Sequence, residues 1–321
     1  MRRSRALPFF ALGGLLPLLA GCVVHVDSGG FSARKEQRFR VEGRPTIDLA
    51  TFDGTIEVQA WDRDEVLVQV DSRASSRALL EGIDVKMSQQ GRRIAVEATA
   101  PEQDGWQLRG GGISRTARVV ASVPVDSEVR IRSGDGAVHV ERVRGVIDAR
   151  TRDGRIVMRE VGGEIVADSG DGAVQMEDVD GRCTVSTRDG SVLVSGRLRG
   201  GLRASSGDGT ITVRAADGSV VNGDWQIETG DGGVVLALPD VLDASLDART
   251  SDGRISLNGF PDLPIEQEGE GRRLQAVLGN GQGRLRIRTG DGSITLKRSF
   301  VPPPPAPPAP PAPPVAPESP R

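Results

Sequence analysis

The sequence is poor in the residues that fill thick cores and in those that carry acid–base and metal chemistry. Aromatic residues make up 3% of the 321 positions, none of them Tyr, and the chain has only two His and two Cys. The shortage of large rings argues against most thick-cored enzyme folds and against aromatic-rich ligand pockets. The shortage of His and Cys leaves few general bases and few ligands for transition metals. We therefore expect a thin core, no catalytic centre and no cofactor.

Glycine and proline are the residues in excess. The chain has 42 Gly, roughly twice the usual share of about 7%, and 20 Pro. Twelve of the prolines lie in the last twenty residues, and they predict an extended, polyproline-like tail over 301–321. The glycines are spread through the middle of the chain, where they predict many tight turns.

The N-terminus is typical of an export signal. Residues 1–21 run from three arginines into an apolar stretch that is too short and too interrupted by Gly and Pro to span a bilayer. The stretch ends Leu19-Ala20-Gly21-Cys22 and resembles a bacterial lipobox, in which a signal peptidase cuts between Gly21 and Cys22 after lipidation of the thiol. The alternative is an ordinary secretory signal with a chance Cys at its end. We expect Cys22 to be the lipid attachment residue.

Lipidation at Cys22 would tether the mature chain to a membrane instead of threading it through one. By analogy with lipoprotein sorting in Gram-negative bacteria, Val23 and Val24, with no Asp after the Cys, favour transport to the outer membrane. The predicted location is the bacterial cell envelope, as an outer-membrane lipoprotein on either side of that membrane. Without the three signal arginines the formal charge of −3 becomes −6, which argues against a nucleic-acid partner.

An Asp-Gly pair, mostly with Ser or Thr two residues before the Asp, recurs through the chain. The pairs begin at Asp53, Asp135, Asp153, Asp171, Asp189, Asp208, Asp231, Asp252 and Asp291. From Asp135 onward the spacings are 18, 18, 18, 19, 23, 21 and 39 residues. A near-constant period of this kind predicts stacked repeats.

Each repeat contains two segments in which apolar and polar residues alternate. Val138 and Val140 show the pattern in a first segment, and Ile147 and Ala149 in a second. Such alternation predicts half-buried strands. The predicted fold class is all-β: a right-handed parallel β-solenoid with about 18 residues and two short strands per coil, and with capped ends. A meander of antiparallel hairpins is the competing fold, but it gives no reason for residues 18 apart to match.

Stacking in register makes predictions for the outward residues, because residues 18 apart would lie about 4.8 Å from one another. The column Glu141, Arg159, Glu177 alternates in sign, as attraction between stacked neighbours favours. Arg150 is expected over Asp168 for the same reason. The 19-residue repeat is expected to place its extra residue at a bulge near Gly196.

These patterns divide the chain into six parts. The parts are the signal peptide 1–21, the lipidated Cys and tether 22–40, the irregular coils and N-terminal cap 41–131, the regular repeats 132–258, the C-terminal cap and last coil 259–300, and the tail 301–321. Within the third part the patterns predict strands over 55–59, 65–70, 94–97 and 117–123 and a short helix over 75–81.

Three features carry a resemblance to a known family. They are the run from Thr51 to Val66 with Trp61 in it, the Val-Pro step that opens the run from Val123 to Val138, and the serial Ser/Thr-x-Asp-Gly turns. Together they resemble the DUF4097 family of adhesin-like bacterial envelope proteins over roughly residues 40 to 298. The resemblance implies a β-solenoid fold, an envelope location and no established catalytic activity. It does not extend to the lipobox or the proline tail.

The serial Asp residues are the sharpest candidates for chemistry, since carboxylates on successive coils could ligate Ca2+. The candidates are Asp135, Asp153, Asp171, Asp189 and Asp208. Calcium-binding β-rolls, however, carry a nonapeptide signature, whereas this chain has one Asp per 18 residues. Turn chemistry is the favoured interpretation: the Asp bonds local backbone and the Gly supplies positive φ. Arg152 and Arg188, each just before an Asp, would offset the carboxylate column on alternate coils.

The other reactive side chains have simpler interpretations. His139 is expected at an outward position without a second ligand beside it. Cys183 is expected inside, as a small core residue, and with Cys22 lipidated it has no disulfide partner. The three tryptophans occur singly, which favours packing or capping over a carbohydrate platform; they are Trp61, Trp106 and Trp225.

The sequence thus predicts a non-catalytic envelope lipoprotein whose adhesin-like β-solenoid acts as a binding or structural scaffold. The expected partners are the membrane, through the lipid, and an extended polymer or a protein that lies along the flat sides of the coils. Two alternatives remain. One is a structural or stress-linked periplasmic protein without a specific ligand. The other is a polysaccharide-active β-helix enzyme, which would need clustered acids on long excursions from the coils.

Overall fold

A computed structural model describes residues 22–27, 30–101, 115–260, 265–268 and 272–299, and within them the chain is almost entirely strand. The single described helix, α1 (Arg77–Glu81), lies inside the predicted range 75–81. It begins after Ser76, whose hydroxyl accepts a hydrogen bond from the backbone N–H of Leu79. The described residues include no helix with the length and apolar character of a membrane span.

The strands alternate along the chain with short corners, and many are four to eight residues long. They are β1 (Cys22–Asp27), β2 (Gly30–Arg40), β3 (Thr46–Thr51), β4 (Ile56–Trp61), β5 (Glu65–Ala74), β6 (Asp84–Gln90), β7 (Arg93–Thr99), β8 (Arg115–Pro124), β9 (Asp126–Ser133), β10 (Val138–Glu141), β11 (Arg144–Thr151), β12 (Ile156–Arg159), β13 (Gly162–Ser169), β14 (Val174–Thr187), β15 (Val192–Ser206), β16 (Ile211–Ala215), β17 (Asp224–Thr229), β18 (Val234–Leu238), β19 (Ala244–Thr250), β20 (Ile255–Asn258), β21 (Ile265–Glu268), β22 (Arg273–Leu278), β23 (Gly283–Thr289) and β24 (Ile294–Arg298).

The strands stack in two parallel ladders, and each coil gives one strand to each ladder. In the first ladder Val138 pairs with Ile156, which pairs with Val174. In the second, Ile147 pairs with Ile165. Strands β14 and β15 are long enough to turn a corner and contribute to both ladders. This register of 18 residues confirms the parallel β-solenoid with two strands per coil.

At both ends of the stack the coils depart from chain order. The coil of β3 and β4 lies between the coil of β7 and β8 and the coil of β9 and β10. At the other end, the coil of β23 and β24 lies between the coil of β17 and β18 and the coil of β19 and β20. The coil from Arg284 to Lys297, last in sequence, is therefore next to last in space.

The path of the chain explains the 39-residue spacing before the last Asp-Gly pair. After β18 the chain leaves one coil position open, forms β19 and β20 beyond it, and adds the hairpin of β21 and β22. It then returns to fill the open position with β23 and β24. The described residues form ten coils in all, which at about 4.8 Å per coil give a stack roughly 43 Å long.

Antiparallel strands cover the ends of the ladders, as the predicted caps require. Strands β5, β2 and β1 extend the first ladder beyond β8. Strand β6 covers β7, and the hairpin of β21 and β22 covers β19. In the described part of the chain, β20 pairs only with β24.

The predicted bulge at Gly196 is wrong. The offset between paired residues of β14 and β15 falls from 18 at Met176 to 17 at Val179. Strand β15 is therefore one residue shorter than β14 between these two pairs. It rises to 19 at Cys183, which pairs with Leu202. Two residues are thus added over 199–201, and the net gain is one.

The added residues make room for the one large ring in the core of the central coils. Trp225 pairs with Leu202, is fully buried, and donates its indole N–H to the carbonyl of Gly200 over 2.8 Å. Elsewhere the inward positions of these coils are mostly Val, Ile, Ala and Leu. The expected thin core is present, with one ring placed where the corner widens.

The Gly of each Asp-Gly pair in the central coils is required by the spacing of the coils. We expected these glycines to supply positive φ, but Gly154, Gly172 and Gly190 do not have it. A Cβ on Gly172 would lie 2.0 Å from the carbonyl oxygen of Gly154, and one on Gly190 would lie 2.2 Å from that of Gly172. Any side chain there would push adjacent coils apart.

Replacing Gly172 by Ala should therefore lower the free energy of unfolding by about 2–3 kcal/mol through steric overlap. Gly201→Ala is the matched control, because its Cβ would meet nothing closer than 3.6 Å and its φ is not positive. The control should change stability by no more than about 0.5 kcal/mol. Urea unfolding of the mature chain measures both, and equal effects would contradict the steric explanation.

Candidate functional site

A buried ladder of hydroxyl groups supports the corner that carries the Asp-Gly pairs. The Ser or Thr two residues before each Asp is buried in nearly every coil, namely Thr51, Thr151, Ser169, Thr187, Ser206, Thr229, Thr250 and Thr289. Thr187 shows the pattern: its Oγ1 accepts a hydrogen bond from the N–H of Gly190 over 3.2 Å. Its O–H can donate to the carbonyl of Gly170 at 2.9 Å or to that of Gly172 at 3.0 Å. All eight hydroxyls bond a carbonyl of the coil before them in the stack, and six of them also accept the N–H of the Gly in their own turn.

The Asp side chains lie outside this ladder. All five calcium candidates are exposed, namely Asp135, Asp153, Asp171, Asp189 and Asp208. Within the described residues, no three His, Cys, Asp or Glu side chains lie close enough to hold a metal ion together. The corner therefore presents its carboxylates singly, one to each coil.

Arginines on alternate coils offset this carboxylate column, as expected. Arg152 Nη1 lies 3.6 Å from Asp135 Oδ1, and Arg188 Nη1 lies 3.2 Å from Asp171 Oδ1. Each Arg reaches the Asp of the preceding coil. All four side chains are more than half or about half exposed, so water screens the pairs and their contribution to stability is small.

Asp53 differs from the other residues of the column. Burial raises the pKa of its carboxyl above the ordinary value, repulsion from Asp135 adds to this, and a backbone hydrogen bond at Gly54 opposes it. Asp53, in the coil of β3 and β4, is half-buried, whereas the five Asp residues of the following coils are exposed.

The outward columns of side chains follow the predicted register. Arg159 is in register with Glu141 and Glu177, and its Nε lies 3.2 Å from Glu177 Oε2. A hydrogen bond from Gln175 and this contact lower the pKa of Glu177.

Arg150 is in register with Asp168 as expected, but its guanidinium pairs with Asp148, 2.9 Å away on the same strand. Asp168 instead accepts a hydrogen bond from the hydroxyl of Ser186 over 2.6 Å. The pairing along the strand thus replaces the predicted pairing between coils.

The corner opposite the Asp-Gly turns has a feature that the sequence patterns did not reveal. Arg142, Glu160 and Asp178 adopt left-handed φ values of 60°, 53° and 54° on three successive coils, at a cost of roughly 1–2 kcal/mol each for a residue with a side chain. The signal in the sequence is their 18-residue spacing with a buried valine after each, at Val143, Val161 and Val179. Arg142, Glu160 and Asp178 line an open groove of about 650 Å³.

The isolated reactive side chains lie mostly where the patterns indicated. His139 is exposed. Trp61 donates its indole N–H to the carbonyl of Glu65 over 2.8 Å, and Arg63 lies over its ring. Trp106 and Gly21 lie outside the described residues, and Cys22 is the first residue of β1.

Cys183 is a core residue. It is 1% exposed and shares an inward column with Ile147, Ile165 and Leu202. Burial raises the pKa of its thiol to about 12. The thiol is therefore neutral at physiological pH and inaccessible to reagents.

Comparison with known proteins identifies one family. A model of the family described as Toastrack DUF4097 matches residues 45–297. No curated protein matches the chain.

Several solved structures of bacterial proteins are similar to this chain. A candidate adhesin from Bacteroides fragilis NCTC 9343 has 12% identity and a TM-score of 0.38, over 83% of this chain and 97% of that one. A candidate lipid-binding protein from Parabacteroides distasonis ATCC 8503 has 11% identity and a TM-score of 0.42, over 82% and 96%. A candidate cell-adhesion protein from Clostridium sporogenes ATCC 15579 has 13% identity and a TM-score of 0.27, over 83% and 100%.

The hydroxyl ladder predicts a specific effect of removing one O–H. Thr187→Val keeps the shape of the side chain but removes its hydrogen bonds with the N–H of Gly190 and with the carbonyls of the preceding coil. The substitution should lower the free energy of unfolding by about 1–3 kcal/mol. Thr187→Ser keeps the hydroxyl, as Ser169 and Ser206 do in neighbouring coils, and should cost less. Chemical denaturation of both variants makes the comparison, and a Ser variant as unstable as the Val variant would contradict the role of the hydroxyl.

The raised pKa of Cys183 predicts a loss of stability at alkaline pH. Between the ordinary thiol pKa of 9.0 and the folded value of about 12, the unfolded chain loses the proton while the folded chain keeps it. The free energy of unfolding should fall by about 1.4 kcal/mol per pH unit across this range. No phenol group titrates in the same pH range, because the chain has no Tyr.

Cys183→Val, which fits the aliphatic column, is the control and should lack this component. Equilibrium unfolding between pH 8 and pH 11 compares the two proteins, and parallel pH curves would refute the assignment.

Proposed function

The chain belongs to the Toastrack DUF4097 family, and we propose that it is a non-catalytic, adhesin-like scaffold of the bacterial cell envelope. Its solenoid holds an extended partner along the flat sides of the coils. A lipid on Cys22 ties it to the outer membrane.

The continuity of the two ladders is the observation that carries this proposal. From Asp126 to Ala215 the chain passes from one strand to the next through corners of at most four residues. Side chains therefore stand in rows about 4.8 Å apart along the stack and about 6.6 Å apart along each strand. Such a regular surface suits an extended partner. A polysaccharide-cleaving enzyme needs clustered carboxylates that grip one sugar, and corners this short give them little support.

The position of Cys22 supports attachment at one end of the stack. Cys22 begins β1, which pairs with β2, and β2 with β5, on the outer side of the N-terminal coils. Ser299, the last described residue, lies near the opposite end, where its backbone N–H donates to the carbonyl of Leu238. A lipid on Cys22 would leave about 40 Å of solenoid free to project from the membrane.

Anchoring can be tested by cell fractionation. The wild-type protein should fractionate with the outer membrane, and Cys22→Ser should move it to the soluble fraction because the acyl chains are lost. Cys183→Ala is the control, since it removes the other thiol and should leave the protein in the membrane. A Cys22→Ser protein that stays membrane-bound would refute the lipid anchor.

Protease treatment of intact cells then separates the surface scaffold from a periplasmic structural protein. Release of the solenoid domain from intact cells is expected for a surface scaffold. A protein that stays intact until the outer membrane is opened would refute the surface-facing function and favour the periplasmic alternative.

A further inference from the structure

The end of the chain that enters the solenoid last is strongly basic. Between Arg272 and Arg298 the sequence contains six Arg and one Lys, with Asp291 as the only acidic residue. The whole chain has a net charge of −3. One coil and its approach therefore carry seven basic residues against one acidic residue, in a chain that is acidic as a whole.

Three of these arginines form an outward row on β23. Leu285 and Ile287 point into the core. Arg284, Arg286 and Arg288 alternate with them and are exposed. Their alternation along a strand spaces the guanidinium groups at about 6.6 Å. We call these three residues the arginine row.

The arginine row has no partner within the described residues. No carboxylate of residues 30–101, 115–260 or 272–299 lies within 4.0 Å of its guanidinium groups. Other arginines of the same face are paired: Arg93 with Asp48, and Arg150 with Asp148.

The carboxylates nearest in register are engaged elsewhere or too far away. Asp247 is in register with Arg286, but it pairs with Arg249 at 2.9 Å. Glu228 is in register with Arg288, but it accepts a hydrogen bond from Gln226 over 2.7 Å. As far as the described part of the chain shows, the arginine row is thus a set of bidentate donors without carboxylate partners on a flat surface.

The surroundings of the row favour one class of partner. Asp224 and Glu228 on β17 and Asp247 on β19 flank it in register. These carboxylates lower the net positive charge around the row, which disfavours nucleic acid and anionic lipid surfaces more than a polymer with one carboxylate per sugar, because their charges are denser. An extended polysaccharide with carboxylates at intervals carries hydroxyl groups between them, and the flanking Asp, Glu and Gln side chains can hydrogen-bond those hydroxyls.

Position in the stack argues against a membrane as the partner. β23 lies in the ninth of the ten coils counted from the end near β1, about 38 Å from the first coil. With the chain anchored at Cys22, the arginine row would stand well away from the lipid headgroups.

We propose that the arginine row binds the carboxylate groups of an extended acidic polysaccharide. This inference rests on the proposed function, since it names the polymer that the scaffold would hold. The polymer lies along β23, and the guanidinium groups take successive carboxylates.

Calorimetry of the mature full-length chain with an oligogalacturonate at low salt tests the proposal. The triple variant Arg284→Gln, Arg286→Gln, Arg288→Gln should bind about tenfold more weakly than the wild type. The triple variant Arg93→Gln, Arg130→Gln, Arg150→Gln changes the net charge equally on the same face, and should bind as the wild type does. A dextran oligosaccharide of the same length, which has no carboxylates, should bind neither protein.

Several outcomes would overturn the proposal. Equal weakening in the two triple variants would mean that net charge alone governs binding. No binding by the wild type, or no loss in the arginine-row variant, would remove the site. Preferential binding of phosphatidylglycerol vesicles or single-stranded DNA through the arginine row would replace the polysaccharide with another partner. Thermal unfolding shows whether the variants fold, and the single variant Arg286→Gln provides a milder version if the triple does not.

The test is separable from that of the proposed function. A protein that protease releases from intact cells but that binds no oligogalacturonate would overturn this inference alone. A protein that binds oligogalacturonate through the arginine row yet resists protease on intact cells would refute the surface location and leave the site standing.

Discussion

The close stacking of parallel coils is the constraint on which the rest of the structure depends. At about 4.8 Å per coil, the backbone of one corner touches the backbone of the next, and a Cβ on Gly154 would lie 2.0 Å from the carbonyl of Gly136. The polar backbone of the corner is buried by the same contact, so it needs a hydrogen-bonding group of minimal size. The hydroxyl of Ser or Thr meets this need, because it accepts from its own turn and donates to the preceding coil. The repeated Ser/Thr-x-Asp-Gly turn follows from these two requirements.

This constraint divides the residues of each repeat into two kinds. The hydroxyl and the Gly are held by contacts between coils, whereas the Asp and the residue before it face water and can vary, as Arg152 and Gly170 show at equivalent positions. Stability in such a stack is close to a sum of terms for single coils and their interfaces. A single coil can therefore carry an unusual set of outward side chains, such as the arginines of β23, without disturbing the neighbouring coils. A regular core with a variable surface is the property that a binding scaffold needs.

The repeat was predictable because its information is local. The spacing of Asp135, Asp153 and Asp171 set the register, and the alternation around Ile147 and Cys183 identified the inward positions. Predictions failed where two elements competed for the same contact. Arg150 pairs with Asp148 on its own strand instead of Asp168 above it. The extra residue lies at 199–201 instead of Gly196, since the indole of Trp225 needs the space and the carbonyl of Gly200.

The sequence by itself determined the all-β class, the period, the two faces of each strand and the positions of the Asp-Gly turns, because each of these depends on residues within one coil or 18 residues apart. Only the tertiary structure decided the order of the coils at the two ends. The coil of β23 and β24 lies inside that of β19 and β20, because β23 pairs with both β17 and β19, strands that are distant from it in sequence. That choice sets the arginines of β23 between β17 and β19, and no local pattern in the chain records it.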